Sequence, residues 1–429
     1  MKGLSGRYLS KTLKSRKLYE RAKRVLPAGV SYFLRYVEPY PFYTARAKGS
    51  KLYDVDGNEY IDFWMGHYSL ILGHSPPKVM CDVRAQISKG SHYGTAHVLE
   101  IALAEQVTRM VPAAQMVRFT NSGTEAAMYA TRLARAVTGR SLVCKFEGGW
   151  HGGYDALHAG VKQPFDLPES GGLTKGALQN TVVLPYNEIE PVRQRLKKDK
   201  VAAVFVEPVM VSGGCIPGRI EFLKGLREVC TDTGTLLVFD EIITGFRLAL
   251  GGGQQYFGVK PDVTLLGKIL GGGFPIGAIA ASTEIMQHMD PLQYPRPKFA
   301  FQGGTFTANP VTMTAGLATL KTLEDGKLIN SLNKRGEYVR RELQNIFERK
   351  KIEVQVSGTS SLWHTHFMKE RPSNVVAAAR ADKEKLLRYH MHLMENGVFY
   401  LPGKAGALST AHKEADLNRL LSQTERFSL

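Results

Sequence analysis

The chain has 429 residues, of which 43% are hydrophobic and 22% are charged, a composition typical of a folded protein with a buried core. Its length exceeds what one ordinary core accommodates, and together with the composition it excludes a small disulfide-stapled module and a disordered chain. The 56 Lys and Arg residues outnumber the 39 Asp and Glu residues, so the formal net charge is +17. A charge of this size makes nucleic acids and acidic ligands candidate partners.

No apolar run approaches the roughly 18 residues that a membrane span needs, and the N-terminus lacks the apolar core of a signal peptide. We therefore predict a cytoplasmic protein that does not enter a membrane. The four cysteines form no C-x-x-C pair, which predicts reduced thiols rather than a zinc cluster or a disulfide framework.

The first 59 residues begin with a basic helical pattern, and a hairpin pattern follows at residues 52–61 with Asp56-Gly57 at its turn. The first 24 positions hold one acid, Glu20, and nine basic residues: Lys2, Arg7, Lys11, Lys14, Arg16, Lys17, Arg21, Lys23 and Arg24. These charges stand apart from the motifs that carry chemistry. We interpret them as surface composition and predict no nucleic-acid partner.

Short apolar segments alternate with helical patterns through the central part of the chain. The predicted strands are residues 116–120, 141–146, 202–206, 235–239 and 263–266, and the predicted helices include residues 125–137 and 220–231. This alternation predicts an α/β fold with a mostly parallel sheet, in which the chemistry lies beyond the carboxyl ends of the strands.

The two ends of the chain differ from this central part. From residue 326 onward, helical patterns surround a strand-like segment at residues 361–367. We predict a large domain at residues 60–325 and a smaller α+β domain assembled from residues 1–59 and 326–429. The active site would lie in the cleft between the two domains.

The first chemical motif, Asn121-Ser-Gly-Thr-Glu125, stands between a predicted strand and a predicted helix. The N–H groups of a helix's first turn attract an anion, and Gly123 permits close approach to the backbone. Ser122 and Thr124 add hydroxyl donors, so the motif indicates an anion site. The alternative is that Ser122 and Glu125 only cap the helix.

The second motif is an apolar strand that runs directly into Asp240. A carboxylate at a buried strand end is costly unless it meets a cation or several hydrogen-bond donors. A cationic ligand, an ion pair with Arg247 and a metal ion are the candidate explanations. Metal is the weakest of these because no histidine is near in sequence, and we predict no metal site.

The third motif ends a strand on Lys268 and continues with Gly271-Gly-Gly273. Burial lowers the pKa of an amine and frees its lone pair, which makes Lys268 a candidate nucleophile toward an aldehyde. An ordinary loop lysine is the alternative. The segment matches neither the dinucleotide-binding nor the triphosphate-binding glycine pattern.

Together the three motifs supply an anion cradle, a carboxylate and an amine. These groups match the phosphate, the pyridinium nitrogen and the aldehyde of pyridoxal 5′-phosphate (PLP). We therefore predict PLP as the cofactor.

Longer segments that contain these motifs resemble the class III aminotransferases, a family of PLP-dependent enzymes of fold type I. The matching segments are Asn121–Ala126, Val206–Pro208, Asp240–Arg247, Gly267–Gly277 and Gly304–Pro310, and their order and spacing agree with the family. Within it, the chain resembles glutamate-1-semialdehyde aminomutase and its transaminase relatives most.

The resemblance implies roles for the matching residues. Lys268 binds PLP covalently and shuttles a proton, and Asp240 contacts the pyridinium nitrogen. Ser122, Gly123 and Thr124 hold the phosphate.

The resemblance also implies contacts around the ring and between subunits. Trp150 and Ile242 cover the two faces of the ring, although a core aromatic is the alternative for Trp150. Thr305 reaches the phosphate of the neighbouring subunit, which implies a homodimer with shared active sites.

Two further residues are predicted to bind substrate. Arg35 matches a position that holds a substrate carboxylate in aminomutase relatives, a task that suits a guanidinium; a surface arginine is the alternative. His67 stands where the aminomutase pattern has a tryptophan. Ser212 and Lys404 likewise replace an asparagine and a glutamate of that pattern.

Because the cofactor residues are retained while the substrate pocket has changed, we predict an aminotransferase with ping-pong half-reactions. PLP would alternate with pyridoxamine 5′-phosphate as an amine or amino-acid donor and a keto acceptor react in turn. Glutamate-1-semialdehyde 2,1-aminomutase is the alternative activity. A non-catalytic basic binding protein on the same fold is the third hypothesis.

Overall fold

A seven-stranded sheet forms the centre of the computed structural model, which describes residues 6–296 and 298–429. In spatial order its strands are Met116–Thr120, Gly277–Ala281, Val263–Gly267, Leu236–Asp240, Val201–Val206, Leu142–Phe146 and Thr181–Leu184. Gly277–Ala281 runs antiparallel to both of its neighbours, and the other adjacent strands run parallel. The predicted α/β class with a mostly parallel sheet is therefore confirmed.

Two strands of this sheet, Thr181–Leu184 and Gly277–Ala281, are not among the predicted ones. The second has the sequence Gly-Ala-Ile-Ala-Ala, whose small residues carry little strand signal. Packing explains its first residue, because a Cβ atom at Gly277 would lie 2.1 Å from the carbonyl oxygen of Ser122. This strand therefore begins with a glycine because the backbone of the anion motif lies against it.

Helices cover both faces of the sheet, so its strands are apolar on both sides. Helix Gly123–Thr138 packs Ala126, Ala130 and Leu133 against one face. Helix Ile220–Thr233 packs Phe222 and other apolar side chains against the opposite face. Burial on both faces removes the alternation of polar and apolar residues, as expected for a parallel sheet.

The chain ends contribute smaller sheets. Strand Val398–Phe399 adds in parallel to strand Glu59–Asp62, which joins the C-terminal part of the chain to the N-terminal hairpin. The predicted boundary at residue 59 falls inside that strand, and the one at residue 325 falls between two helices. We retain the division into a large domain and a split small domain as a proposal.

The remaining elements connect these sheets. The other α-helices are Gly6–Lys11, Leu13–Ala22, Met65–Tyr68, Pro77–Ile87, Val98–Met110, Lys175–Leu178, Ile189–Lys198, Gly252–Phe257, Thr283–Met286, Pro310–Leu323, Lys327–Arg349, Val375–Ala378, Lys383–Glu395 and Glu414–Arg426. The other strands are Thr44–Lys48, Lys51–Asp54, Val209–Met210, Ile216–Pro217, Gln355–Ser357, Leu362–His366 and Gly406–Ala407, and 3-10 turns span Pro27–Gly29, Phe33–Arg35, Asp155–Leu157, Lys268–Gly271 and Gln287–Met289.

The basic N-terminus, the possible membrane spans and the cysteines can be compared with the structure. Lys2, the first of the basic N-terminal residues, lies outside the described residues. Within the described part of the chain, no helix is both long enough and apolar enough to cross a membrane. The four cysteines are free, and all except Cys81 are buried.

Arg247 ties the central sheet to both chain ends. It is fully buried, and its guanidinium donates hydrogen bonds to Ser361 Oγ at 2.8 Å, to the Leu408 carbonyl at 3.2 Å and to the Tyr68 carbonyl at 2.7 Å. Burial lowers its pKa to about 10, so the side chain remains charged at neutral pH. These partners are neutral oxygens, and the ion pair with Asp240 considered from the sequence is not formed.

We expect Arg247→Met to destabilise the fold by about 3 kcal/mol, because it removes hydrogen bonds from a buried charged group and leaves their acceptors without a donor. Thermal unfolding of the cofactor-free protein measures the loss. Arg24→Met, at an exposed position, is the control and should unfold at the wild-type temperature. Equal unfolding temperatures for both variants would show that Arg247 does not hold these segments together.

Candidate active site

Residues at or just after the carboxyl ends of five strands of the central sheet meet at one edge of that sheet. Asn121 and Ser122 follow Met116–Thr120, Glu207 follows Val201–Val206, and Lys268 follows Val263–Gly267, while Asp240 is the last residue of its strand. With Trp150 and His151, which come after Leu142–Phe146, these residues line a cavity of about 520 Å³. Parallel strands direct their carboxyl ends to the same edge, which explains the convergence.

Asp240 is buried and makes two hydrogen bonds. Its Oδ2 lies 2.7 Å from His151 Nδ1, and its Oδ1 accepts the Ile242 N–H at 3.1 Å. Burial lowers the pKa of His151, so its ring is neutral and donates through Nδ1–H to the carboxylate. The other ring nitrogen, Nε2, is buried and has no partner among the described residues. Asp240 is therefore a buried anion held by neutral donors and ready for a cationic ligand.

Lys268 begins a 3-10 turn directly after its strand, with a φ of +45°. A lysine in this left-handed conformation is strained, and such strain is concentrated at functional sites. Burial lowers the pKa of Lys268, while the charges of Asp240 and Glu207 oppose that shift. The amine is thus biased toward its neutral, nucleophilic form.

Helix Gly123–Thr138 directs its N-terminus into the same cavity. Ser122 caps it by accepting the Glu125 N–H at 3.2 Å, and Glu125 Oε2 accepts the Asn121 N–H at 2.8 Å. The capping arrangement considered from the sequence is therefore present. It uses Ser122 Oγ only as an acceptor, which leaves the hydroxyl hydrogen and the first-turn N–H groups for an anion.

Trp150 and Ile242 both line this cavity. A Cβ atom at Gly123 would lie 2.9 Å from Ile242 Cδ1, so glycine is needed for the helix terminus to approach this side chain. The backbone N–H of Trp150 donates to Glu207 Oε1 at 2.9 Å, and the indole ring of Trp150 packs edge-on against His158. Trp150 therefore faces the cavity, unlike the core aromatic that the sequence left as an alternative.

Lys145 holds the loop that carries Trp150 and His151. It is fully buried, and its Nζ donates to the carbonyl oxygens of Gly149 at 2.8 Å, Leu157 at 2.9 Å and Ala159 at 2.6 Å. Burial lowers its pKa to about 8. Neither Lys145 nor His151 is among the site residues predicted from the sequence. Their signals were a lysine inside an apolar strand and a histidine directly after Trp150.

Arg35 and His67 enter the cavity from outside the sheet. Met65, His67 and Tyr68 all have positive φ, as does Gly66, so this segment is a left-handed turn rather than an ordinary helix. Burial lowers the pKa of His67 to about 4, and the nearby charges of Arg35 and Lys268 add to the shift. His67 therefore contributes a neutral ring to the wall.

Thr305 is the one predicted site residue that lies elsewhere. It is exposed and borders a separate cavity of about 330 Å³ with Asn309 and His97. Within one chain, the structure therefore brings all the other predicted site residues together and leaves Thr305 apart.

These residues fit PLP. The helix terminus suits a phosphate, the buried Asp240 carboxylate suits a protonated ring nitrogen, and the Lys268 amine suits an aldehyde. Among residues 6–296 and 298–429 no group of three or more His, Cys, Asp or Glu side chains is placed to hold a metal ion.

Comparison with known proteins agrees with this fit. The family model described as aminotransferase class-III matches residues 32–404. The chain is 42% identical over 418 residues to a protein named glutamate-1-semialdehyde 2,1-aminomutase from Methanothrix thermoacetophila, with 96% of each sequence covered. It is 37% identical to the solved structure of an omega-transaminase from Sphaerobacter thermophilus, with a TM-score of 0.92 and 96% of each chain covered.

A second solved structure, described as a transaminase with PLP bound, is 30% identical, with a TM-score of 0.89 and 97% of each chain covered. These similarities confirm the predicted fold type I architecture and PLP as the cofactor.

The burial of Glu207 should make the stability of the fold depend on pH. Burial, together with the charge of Asp240, raises its pKa from 4.5 to about 8. The folded protein then holds a proton that the unfolded chain releases between these values, so stability should fall as the pH rises through that window. Glu207→Gln cannot titrate and keeps an oxygen for the Trp150 N–H. We expect its unfolding temperature to rise relative to wild type by a few degrees between pH 5 and pH 8.5.

Differential scanning calorimetry of both cofactor-free proteins measures this difference. The wild-type protein is the reference, because all other titrating groups are common to both. An unfolding-temperature difference that stays constant with pH would show that Glu207 is ionised in the fold.

Proposed function

Because the chain belongs to the class III aminotransferases, which are PLP-dependent, we propose that it catalyses transamination between an amine or amino-acid donor and a keto acceptor. One observation favours this choice over an aminomutase. His67, Ser212 and Lys404, the three departures from the aminomutase pattern, line a single cavity of about 400 Å³ together with Lys268. The three residues that differ from the aminomutase pattern therefore lie together beside Lys268, while the cofactor residues match that pattern.

The two activities make different demands on this wall. An aminomutase retains its intermediate until the amino group has returned to the same molecule. A transaminase releases a keto product and admits a second substrate. A wall with a smaller side chain at position 212 and a changed charge at position 404 suits exchange better than retention.

Bound PLP supplies an aldehyde that accepts an amino group and a ring that withdraws electrons from the substrate Cα. We assign Asp240 to keep the ring nitrogen protonated and His151 to orient that carboxylate. The Lys268 amine binds the cofactor and, once displaced by substrate, moves a proton to and from Cα. Ser122, Gly123 and Thr124 bind the phosphate.

The remaining roles concern the walls of the cavity. Trp150 and Ile242 cover the ring faces and exclude water, and Arg35 binds a substrate carboxylate with His67 beside it. We propose small-molecule amine and keto substrates as the partners, without nucleic acid or membrane, in the cytoplasm.

We also propose that the protein is a homodimer with shared active sites. Thr305 is exposed and outside its own chain's cofactor cavity, as a residue that serves a neighbouring subunit must be. Nearby in sequence, Phe301 and Phe306 are each 61% exposed, and Val98 and Ile101 on helix Val98–Met110 are 77% and 58% exposed. Large apolar side chains left in solvent favour an interface.

The alternative activity is that of glutamate-1-semialdehyde 2,1-aminomutase, which is favoured by the names of relatives at 41% to 43% identity. Substrate conversion separates the two activities.

We expect purified PLP-loaded protein to transfer amino groups from some members of a panel of amines and amino acids to keto acceptors, measured by chromatography of both products. Lys268→Ala should abolish both the transfer and the visible absorption of the lysine-bound cofactor. Conversion of glutamate 1-semialdehyde to 5-aminolevulinate without any external amino transfer would establish the aminomutase instead.

We expect Thr305→Ala to weaken PLP binding about tenfold, because one charge-assisted hydrogen bond to the phosphate is lost. Equilibrium dialysis measures the affinity, and light scattering should give a dimer mass for both wild type and variant. Thr44→Ala, at an exposed position of an edge strand, is the matched control. A monomeric wild-type protein, or unchanged affinity in Thr305→Ala, would contradict the shared site.

A further inference from the structure

The cavity beside Lys268 continues into a further chamber. The 400 Å³ cavity shares Lys162, Ser212 and Lys404 with a chamber of about 560 Å³ that extends away from the cofactor residues. On its other side it shares His67, Trp150 and Lys268 with the 520 Å³ cofactor cavity. A continuous space therefore leads from Arg35, past Lys268, to Lys162 and Lys404.

The far end of this space is cationic. Lys162, Lys383 and Lys404 line the distal chamber, and none of the described residues that line it carries a carboxylate. Among the described residues, no ion pair joins Lys162 or Lys404 to an acidic side chain. Excess positive charge in a confined cavity raises the local concentration of anions.

One carboxylate and two histidines lie near these lysines. Glu169 lines the 400 Å³ cavity together with Lys162, Lys268 and Lys404, and its Oε1 accepts the backbone N–H of Lys162 at 2.5 Å. Lysines therefore outnumber carboxylates among the described residues that line this cavity. His364 and His366, which line the distal chamber, are neutral because burial lowers the pKa of each. Lys162 and Lys404 both line the two cavities, and the charge of Lys162 acts on Lys404.

Lys404 is the less exposed of the two lysines. It is half-buried, and both burial and the charge of Lys162 lower its pKa. A bound anion would offset the repulsion between the two ammonium groups and accept hydrogen bonds from both.

We propose that Lys162 and Lys404 form a second anion subsite in the substrate cavity, separate from Arg35. On the proposed transaminase function, on which this inference rests, the substrate is a dicarboxylate or a comparable dianion. Arg35 binds the carboxylate near the reacting carbon, and the two lysines bind the distal one. The aromatic and aliphatic wall between them, including Phe33, Leu34 and Trp150, contacts the carbon chain.

Calorimetric titration of the PLP-loaded protein tests the subsite without turnover. The probes are succinate, adipate and suberate, each compared with the monocarboxylate of equal chain length. We expect one dicarboxylate to bind at least tenfold more tightly than its monocarboxylate, with an affinity that falls as salt is added. Equal affinities across all three pairs would overturn the proposal.

Lys404→Gln should lower the affinity of that dicarboxylate about tenfold and leave the monocarboxylate unchanged, since one charge-assisted hydrogen bond is lost. Lys162→Gln, at an exposed position, should act in the same direction and serves if the first variant folds poorly. Lys334→Gln, exposed on helix Lys327–Arg349, is the matched control. Unchanged dicarboxylate affinity in both test variants would also overturn the proposal.

Kinetics links the subsite to catalysis. With 2-aminoadipate as donor, Lys404→Gln should raise KM while leaving kcat unchanged. With an amine donor that has no carboxylate, the KM of the variant should equal that of the wild type. Because the titrations need no reaction, they can succeed where amino transfer fails. Failure of the proposed function and failure of the subsite are therefore distinguishable.

Discussion

The burial of one carboxylate determines how the rest of the site is built. Asp240 ends an apolar strand in the middle of the sheet, where an ionised group is costly unless it is hydrogen-bonded or paired with a cation. Its two donors, His151 and the Ile242 N–H, are neutral. Lys145 stabilises the loop that carries His151 through hydrogen bonds to three backbone carbonyls. This arrangement supports the proposed role of Asp240 toward the cofactor's ring nitrogen.

The buried charges around Asp240 shape one another. Its charge adds to the desolvation of Glu207, which raises the pKa of that carboxyl to about 8 and favours the protonated form at neutral pH. The charge of Asp240 resists the lowering of the Lys268 pKa that burial causes. An amine must be neutral to attack and protonated to return a proton. The opposing effects of burial and of Asp240 keep both states of Lys268 accessible.

The cofactor side and the substrate side of the cavity come from different parts of the chain. Ser122, Asp240 and Lys268 stand at strand ends of the central sheet, whose packing on both faces leaves little freedom. Arg35, His67 and Lys404 come from segments near the two chain ends, and Ser212 lies in a turn after the short strand Val209–Met210. None of these four residues belongs to a strand of the central sheet, so they can be replaced without changing those strands.

The sequence by itself determined the α/β class, the family and most of the cofactor cavity. It could do so because in a parallel sheet the chemical residues follow directly after their strands, so that local motifs also state where those residues meet. The tertiary structure alone decided which distant residues share a space. His67, Ser212 and Lys404 are far apart in the chain but line one cavity, and Lys162 joins them from a loop.

The support beneath the site also required the tertiary structure. Lys145 and His151 act through contacts with carbonyls and a carboxylate that no motif spacing reveals. Thr305 borders a cavity with His97 and Asn309, apart from its own chain's cofactor cavity. Local sequence specifies the identity and nearest context of a side chain, whereas neighbours brought together by packing decide its protonation, its partners and the space that it faces.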